Sequence, residues 1–358
     1  MKMRLNRGLV AGISILVSLI LVEIILRIIP LPLSDRFFEP NNDFGWYHIP
    51  SRHGWQATTE FRIPIEINEN GLRDLKREYE KESGVYRILL LGDSFTEGLQ
   101  VSLKDTVGIQ LQGMVNLESE REYEVINAGV SKFGTANELL FYENEGAKYN
   151  PDLVILLFFH NDVTDNVDVP FFYLEDGVLR QSYPKPIERI TLMDRFHFWL
   201  YDHLQTYRLG YIVMKIVEGL LESTSSKDAR SSNWVYQTGE VEELDYAWEL
   251  TSSLISELKR SVAEDNARFL VVGIADWNSV TQAGADGDFD FDEVNRRLGE
   301  ILEEQSIAYL DLTTEFTVQY AETGDSLFWP GDQHWNTKGH KLAAKLIYNY
   351  LLDIGYVD

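Results

Sequence analysis

The chain has 358 residues, 44% hydrophobic and 12% aromatic, which is enough for a sizeable core and argues against global disorder. Its 32 Lys and Arg against 57 Asp and Glu leave a formal charge of −25, which argues against a nucleic-acid partner because phosphate contacts need clustered cations. There is no cysteine, so disulfides, thiolate nucleophiles, iron–sulfur centres and Cys-ligated zinc are excluded, and the chemistry falls to Ser, His, Asp, Glu and Asn.

In chain order, Lys2, Arg4 and Arg7 precede an apolar run from Leu9 to Val22, followed by Glu23, Ile24–Leu26, Arg27 and Ile28–Ile29. The uninterrupted run of 14 residues reaches only about 21 Å as a helix. Crossing a hydrocarbon core of roughly 30 Å therefore needs the stretch through Ile29. Glu23 and Arg27 stand at i,i+4 and can pair, and Arg27 is near enough to the end to snorkel. The basic flank points the N-terminus inward and the rest outside. Because Ile29-Pro30-Leu31-Pro32-Leu33 offers no small-residue cleavage site, residues 1–33 are expected to form an uncleaved signal-anchor. A cleaved signal peptide and a merely buried helix are the rival readings.

Residues 34–84 read as an extended juxtamembrane segment. The weak alternation over Trp55–Asn68 suggests a strand or hairpin, Asn70-Gly71 a turn, and Lys76–Ser83 a solvated charge run. Residues 85–358 alternate buried strands with helices. Strands are expected at Arg87–Leu91, Tyr123–Asn127, Leu153–Phe159, Arg268–Ile274 and Ala308–Leu312. Helices are expected over Asp105–Leu117, Thr135–Tyr149, Asp292–Gln305 and Thr337–Leu352. Apolar runs without alternation, spaced by helices, indicate a five-stranded parallel sheet in a three-layer α/β/α sandwich. Its ligand should sit at the carboxyl ends of the strands.

An interruption at about 165–245 is too long for an ordinary loop. It holds a hairpin over Phe171–Arg180 around Asp176-Gly177, then an aromatic-rich helical stretch over Leu192–Leu221. A Ser-rich loop at Ser223–Ser232 and a long helix over Glu240–Glu264 follow. This helical insertion reads as an element over the strand ends, where a lid would lie. The plainer alternative is aromatic helices packed on the flank of the sheet.

The strongest chemical signal is Leu91-Gly92-Asp93-Ser94-Phe95-Thr96-Glu97-Gly98. A buried strand ends and a serine appears in a Gly-flanked turn, which gives a hydroxyl surrounded by backbone N–H groups, as an acyl-transfer nucleophile needs. Thr96 occupies the second glycine position of a G-x-S-x-G elbow, and no Gly-Lys-Ser/Thr follows as in a P-loop. A tight turn with a capping serine is the structural alternative. The second signal is Asp332-Gln333-His334-Trp335-Asn336, where the Asp can fix the imidazole tautomer and the other ring nitrogen can act as base. The remaining histidines show no ligand spacing. Gly129, after the second strand, can offer an unobstructed backbone N–H, and Asn161, after the third, can donate its amide to an oxyanion. Each alone also fits a turn or a cap.

These blocks, in this order, resemble the SGNH (GDSL-type) hydrolase superfamily over Val85 to about Leu352, with the insertion matching least well. The resemblance implies a flavodoxin-like sheet, with Ser94 as nucleophile, His334 as general base and Asp332 orienting the histidine. It implies oxyanion donors in the Ser94 and Gly129 backbone N–H groups and the Asn161 side chain. The anchor and the Asn-x-x-Gly-Leu-Arg-Asp-like segment from Asn68 to Asp74 are similar to bacterial membrane-anchored members. Phe159 stands where many members have Gly. The spacing Asp332-x-His334-Trp335 is that of alginate-type O-acetyltransferases, although there the block precedes the serine.

The expectation is a serine esterase acting on O-acyl bonds of a small molecule, glycan or lipid outside the cytoplasmic membrane, with neither cofactor nor metal. An O-acyltransferase acting on an envelope or exported polysaccharide is the close alternative, and a catalytically idle envelope scaffold is the second. Among lesser residues, Asp93 is expected to be structural and Trp335 to pack the His334 loop. Arg73 and Asp74 are expected to tie their segment to the sheet as an ion pair, and His340 to lie on the surface. His160 is expected to be packed or exposed, with lining a pocket as the alternative.

Overall fold

The computed structural model describes residues 7–29, 31–183, 190–222, 234–239, 241–282, 285–286, 289–323 and 326–358. Lys2, Arg4 and Pro30 of the expected anchor, and the Ser-rich loop at 223–232, lie outside the described residues. Contacts gather the chain into two units. The first comprises Met1–Arg36, Gly54–Arg62 and Arg189–Ala229, and the second Phe37–His53, Ile63–Glu188 and Arg230–Asp358.

The second unit is built on five strands, β1 (Tyr86–Gly92), β2 (Tyr123–Asn127), β3 (Leu153–Phe158), β4 (Arg268–Gly273) and β5 (Ala308–Asp311). All are parallel neighbours, in the spatial order β5-β4-β3-β1-β2. This is the flavodoxin-like order. The direction of strand progression reverses between β1 and β3, and at such a reversal a crevice opens beyond the strand ends. β1 leads to Ser94 and β3 to Asn161, so both residues flank that crevice.

Along the chain the helices are α1 (Arg7–Ile28), α2 (Val107–Glu118), α3 (Thr135–Asn144), α4 (Asn161–Asp168), α5 (Leu192–His203), α6 (Gln205–Glu222), α7 (Glu242–Glu264), α8 (Glu293–Glu304), α9 (Thr313–Thr323) and α10 (Thr337–Asp353). The alternation of side chains along a strand distributes the β1 apolar run over two cores. Leu89 and Leu91 pack with Leu139 of α3, Leu254 of α7 and Leu298 of α8. Ile88 and Leu90 pack with Leu111 of α2, Phe316 of α9 and Ile347 of α10. The three layers follow from that division.

Several elements differ from the sequence reading. The helix expected to run to Tyr149 stops at Asn144 and continues as a 3-10 turn over Gly146–Tyr149. The stretch expected as one helical run over Leu192–Leu221 is two helices, separated by Leu204 in extended conformation. α7 packs in the sheet-covering layer, its Leu244, Trp248 and Leu254 buried in the same core as α3, which is the plainer of the two readings for that part of the insertion. α9 was not expected at all. The hairpin at Asp176-Gly177 is present, and both turn residues have left-handed φ (52° and 73°), matching the twist that two-residue hairpins favour.

Much of the stretch 34–84 belongs to the sheet unit. Phe44, Tyr47 and Leu72 are buried in its core, and Phe37, Ile65 and Ile67 form a smaller cluster with Leu99. Arg73 is fully buried and makes no ion pair with Asp74. Its guanidinium donates to three backbone carbonyls, of Glu97 (2.7 Å), Gly98 (2.5 Å) and Val101 (2.6 Å). Asp74 pairs instead with Arg77 (2.8 Å) and accepts the Asn127 N–H (3.1 Å), which fixes the end of β2. Replacing Arg73 with Ala strips the Glu97 and Val101 carbonyls of this donor, while Gly98 keeps the Val101 N–H, so urea denaturation should show a loss of about 3 kcal/mol or more, with Arg73→Lys recovering only part.

Candidate active site

The serine turn is built by its neighbours. Asp93 caps a one-turn helix, Ser94–Glu97, by accepting the Phe95 N–H at 3.0 Å. Gly98, at φ 70°, closes it by donating to the Ser94 carbonyl. Ser94 Oγ is 2.7 Å from His334 Nε2, and His334 Nδ1 is 2.7 Å from Asp332 Oδ1. Nδ1 also faces the Asp332 carbonyl at 3.2 Å, so only acceptors surround it. That nitrogen therefore carries a proton, and in the neutral ring Nε2 is left to accept the serine proton. Gln333, with left-handed φ of 66°, bends the chain so that Asp332 can reach a ring two residues on. The ring rests on Phe95, 4.7 Å between centroids, and Phe95 packs edge-on against Trp335.

Trp335 is fully buried and its Nε1 donates to the Ala275 carbonyl at 2.8 Å, so it packs the loop as expected. His340 corrects the sequence reading. It is buried against Trp335 beneath Gly98, and burial, helped by the charges of Arg73 and His334, pushes its pKa down to about 3. His160 packs on Phe159 and Tyr236, and its pKa is lowered by burial against the opposing pull of Asp276. It lines a cavity of about 130 Å³ with Phe95, Phe159, Trp277 and His334. A larger cavity of about 610 Å³ is lined by Trp46, Lys132, Asn161, Asp165 and Phe171.

The expected oxyanion donors are partly engaged. Gly129 lies so close to the serine turn that a Cβ would stand 2.4 Å from the Glu97 nitrogen, which only glycine permits. Its N–H, however, donates to Asn127 Oδ1 at 3.0 Å, while Asn127 Nδ2 donates to the Thr96 carbonyl. Asn161 Nδ2 donates one hydrogen to Asp165 Oδ2 at 3.1 Å, leaving its second for a ligand.

Two features were missed at the sequence level. Glu97 is fully buried, with Oε1 at 2.7 Å from His48 Nε2 and Oε2 accepting both the Ser131 N–H and its hydroxyl. His48 Nδ1 donates to the Gly71 carbonyl at 2.8 Å. Three segments, at His48, Gly71 and Ser131, are thereby fastened around the serine turn. The only signal was an acidic residue three positions after the serine. The second feature is a group of buried carboxyls around Asp93. Burial raises Asp93 to about 6, and burial with repulsion from Asp93 and Asp168 raises Asp165 to about 7. Glu138 and Asp162 are pushed well up by burial and by repulsion within the group. Neither oxygen of Glu138 has a hydrogen-bond partner.

With this geometry in view, the pattern of the GDSL-like lipase/acylhydrolase family matches residues 90–342, well over half of the chain. The chain belongs to that family. It is accordingly an SGNH-type enzyme acting on ester bonds. Similar solved structures include the acetyl xylan esterase AlAXEase, at 12% identity over 74% of this chain and 99% of that one (TM-score 0.43). TesA is similar at 12% identity over 75% and 99% (TM-score 0.43). A catalytic mutant of the acetylxylan esterase Axe2 from Geobacillus stearothermophilus is similar at 15% identity over 75% and 94% (TM-score 0.41). No curated protein matches the sequence at a significant level.

Glu138 gives a linkage test in this GDSL-like enzyme. A carboxyl whose pKa is raised in the folded state contributes stability below its ordinary value of 4.5, and loses it as pH rises through the folded value. Glu138→Gln lacks that titration, so its melting temperature relative to the unsubstituted protein should climb between pH 4 and pH 8. A constant difference would show that Glu138 ionises as in the unfolded chain.

Proposed function

We propose that the protein is a serine esterase in which Ser94 is the nucleophile, His334 the general base and Asp332 the residue that orients it. The 2.7 Å approach of Ser94 Oγ to His334 Nε2, with Nδ1 committed to Asp332, is the observation that supports this reading most directly. Ser94 Oγ attacks the acyl carbonyl as its proton passes to Nε2, and the same proton leaves on the alcohol. Water then attacks the acyl-enzyme, gives a proton to Nε2, and the acid departs as Oγ recovers the proton. The Ser94 N–H and the free hydrogen of the Asn161 amide hold the oxyanion. The Gly129 N–H joins them once it releases Asn127.

The substrate class we propose is an acylated small molecule or glycan. α1 is 22 residues, about 33 Å long, and its window Val10–Ile28 has a mean hydropathy of 2.4. We read it as a membrane anchor, with Lys2, Arg4 and Arg7 on the cytoplasmic side and the enzyme outside.

Intact mass after fluorophosphonate treatment should show a single adduct that Ser94→Ala abolishes, and that variant should lose on the order of 10⁴-fold or more in ester turnover. An unlabelled, folded protein would instead favour an idle scaffold. Acyl transfer to an added glycan would favour the transferase alternative. The pH profile tests the base. Burial opposes protonation of His334, yet the hydrogen bond and charge of Asp332, with Asp93 behind, prevail and raise its pKa above 6.5. Activity needs the neutral ring, so kcat/KM should fall as pH drops through a midpoint above 6.5. Asp332→Asn should move that midpoint down and cut kcat by on the order of 10⁴.

A further inference from the structure

We propose that the helical pair α5–α6 lies in the membrane–water interface, with its apolar faces lodged in the boundary between headgroups and acyl chains. The bilayer is the one that α1 crosses, so this inference rests on the anchor reading above.

α1, α5 and α6 fall within the same compact unit. The two charges that interrupt the apolar run of α1 have a structural use there. Glu23 pairs with Arg27 at 2.8 Å, and its carboxylate also accepts the Gln205 N–H (3.0 Å), the Thr206 N–H (2.9 Å) and the Thr206 hydroxyl (2.9 Å). These are the unpaired donors at the start of α6, so Glu23 caps that helix from outside its own chain segment. Arg27 donates to the His203 carbonyl at the end of α5, 2.6 Å away. The corner between α5 and α6 is thus clamped to α1 at residues 23–27.

The clamp sets a depth. α1 ends at Ile28, and a helix of about 33 Å centred on a core of roughly 30 Å brings Arg27 to the edge of the hydrocarbon and Glu23 about 6 Å within it. The helix pair is therefore held at that edge. Its polar groups point toward the segment that follows α1, where Arg208 pairs with Asp35 (2.7 Å) and Arg36 with Asp202 (3.1 Å), and Arg36 also covers Phe198.

The other faces are apolar and uncovered. On α5, Leu192, Phe196 and Trp199 recur at helical spacing and are 86%, 56% and 52% exposed. On α6, Val213, Ile216 and Val217 share a face, 49–58% exposed, while the Lys215–Glu218 pair falls on the opposite side. An amphipathic helix with Trp, Phe and Leu on one face, rich in ring side chains, is the composition that settles at the interface.

The cysteine-free sequence allows a direct test on the full chain reconstituted in phosphatidylcholine–phosphatidylglycerol nanodiscs. Single cysteines at Ile15, Leu192, Phe196, Val213 and Glu303 would carry a nitroxide, with oxygen and a water-soluble nickel chelate as collision probes. Ile15 reports α1 itself, and Glu303 is an exposed reference on α8. Circular dichroism would check that each labelled variant is folded. The expected result is that labels at Leu192, Phe196 and Val213 meet oxygen and are shielded from nickel several-fold relative to Glu303, at a shallower depth than Ile15. Nickel access equal to Glu303, with Ile15 still in lipid, would overturn the inference and leave the anchor standing. Shielding from both probes would overturn it in favour of a second protein copy on this face. Nickel access at Ile15 would remove the anchor and the inference together.

Discussion

A fully buried carboxyl group needs hydrogen-bond partners, and Glu97 finds its own in segments remote in sequence. His48 comes from the stretch before the first sheet strand, and Ser131 from the loop after β2. The backbone of the same turn is claimed by Arg73, through the Glu97 and Gly98 carbonyls. The position of Ser94 is therefore not a property of its own turn. It is the meeting point of four chain segments, each of which would leave a buried charge or carbonyl unmatched if it moved.

That fastening explains how a serine turn can tolerate the electrostatics behind it. Asp93 caps the turn and lies 3.3 Å from Ser94 Oγ, so a full negative charge there would oppose negative charge developing beside that hydroxyl. Burial works against that charge, raising Asp93 to about 6, and it pushes Glu138 and Asp162 behind it well up. On the other side, Asp332 is paired to His334 at 2.7 Å. The surroundings of these carboxyls thus differ: Asp332 faces an imidazole nitrogen, whereas Glu138 is buried with no hydrogen-bond partner and near other carboxyls.

The sheet was legible because its strands are apolar runs flanked by helices, and Ser94, Asn161 and His334 stood out as candidates because the first two follow strands and the third lies just before α10. What escaped had physical causes. α9 is Thr-rich with few buried positions, so its periodicity is faint. The break at Leu204 has no Gly or Pro to mark it; the carboxylate of Glu23 makes it possible, from 182 residues away. His340 reads as polar on an amphipathic helix, but the absence of a side chain at Gly98 leaves room for the ring underneath. The engagement of Gly129 by Asn127 depends on the direction of one N–H vector, which spacing does not encode. Segment 34–84 looked detached because its charges are conspicuous and its buried rings are few.

Asp332 and His334 share one short stretch, with only Gln333 between them. The Asp332–His334 bond is local to that stretch, whereas the contact with Ser94 is made across 240 residues of chain, so the two can be disturbed independently. The protein therefore has two separable failure modes. Loosening the stretch would lower the fraction of time the serine is addressed without altering the basicity of the ring. Damage to Asp332 would alter basicity without changing how often the two halves meet.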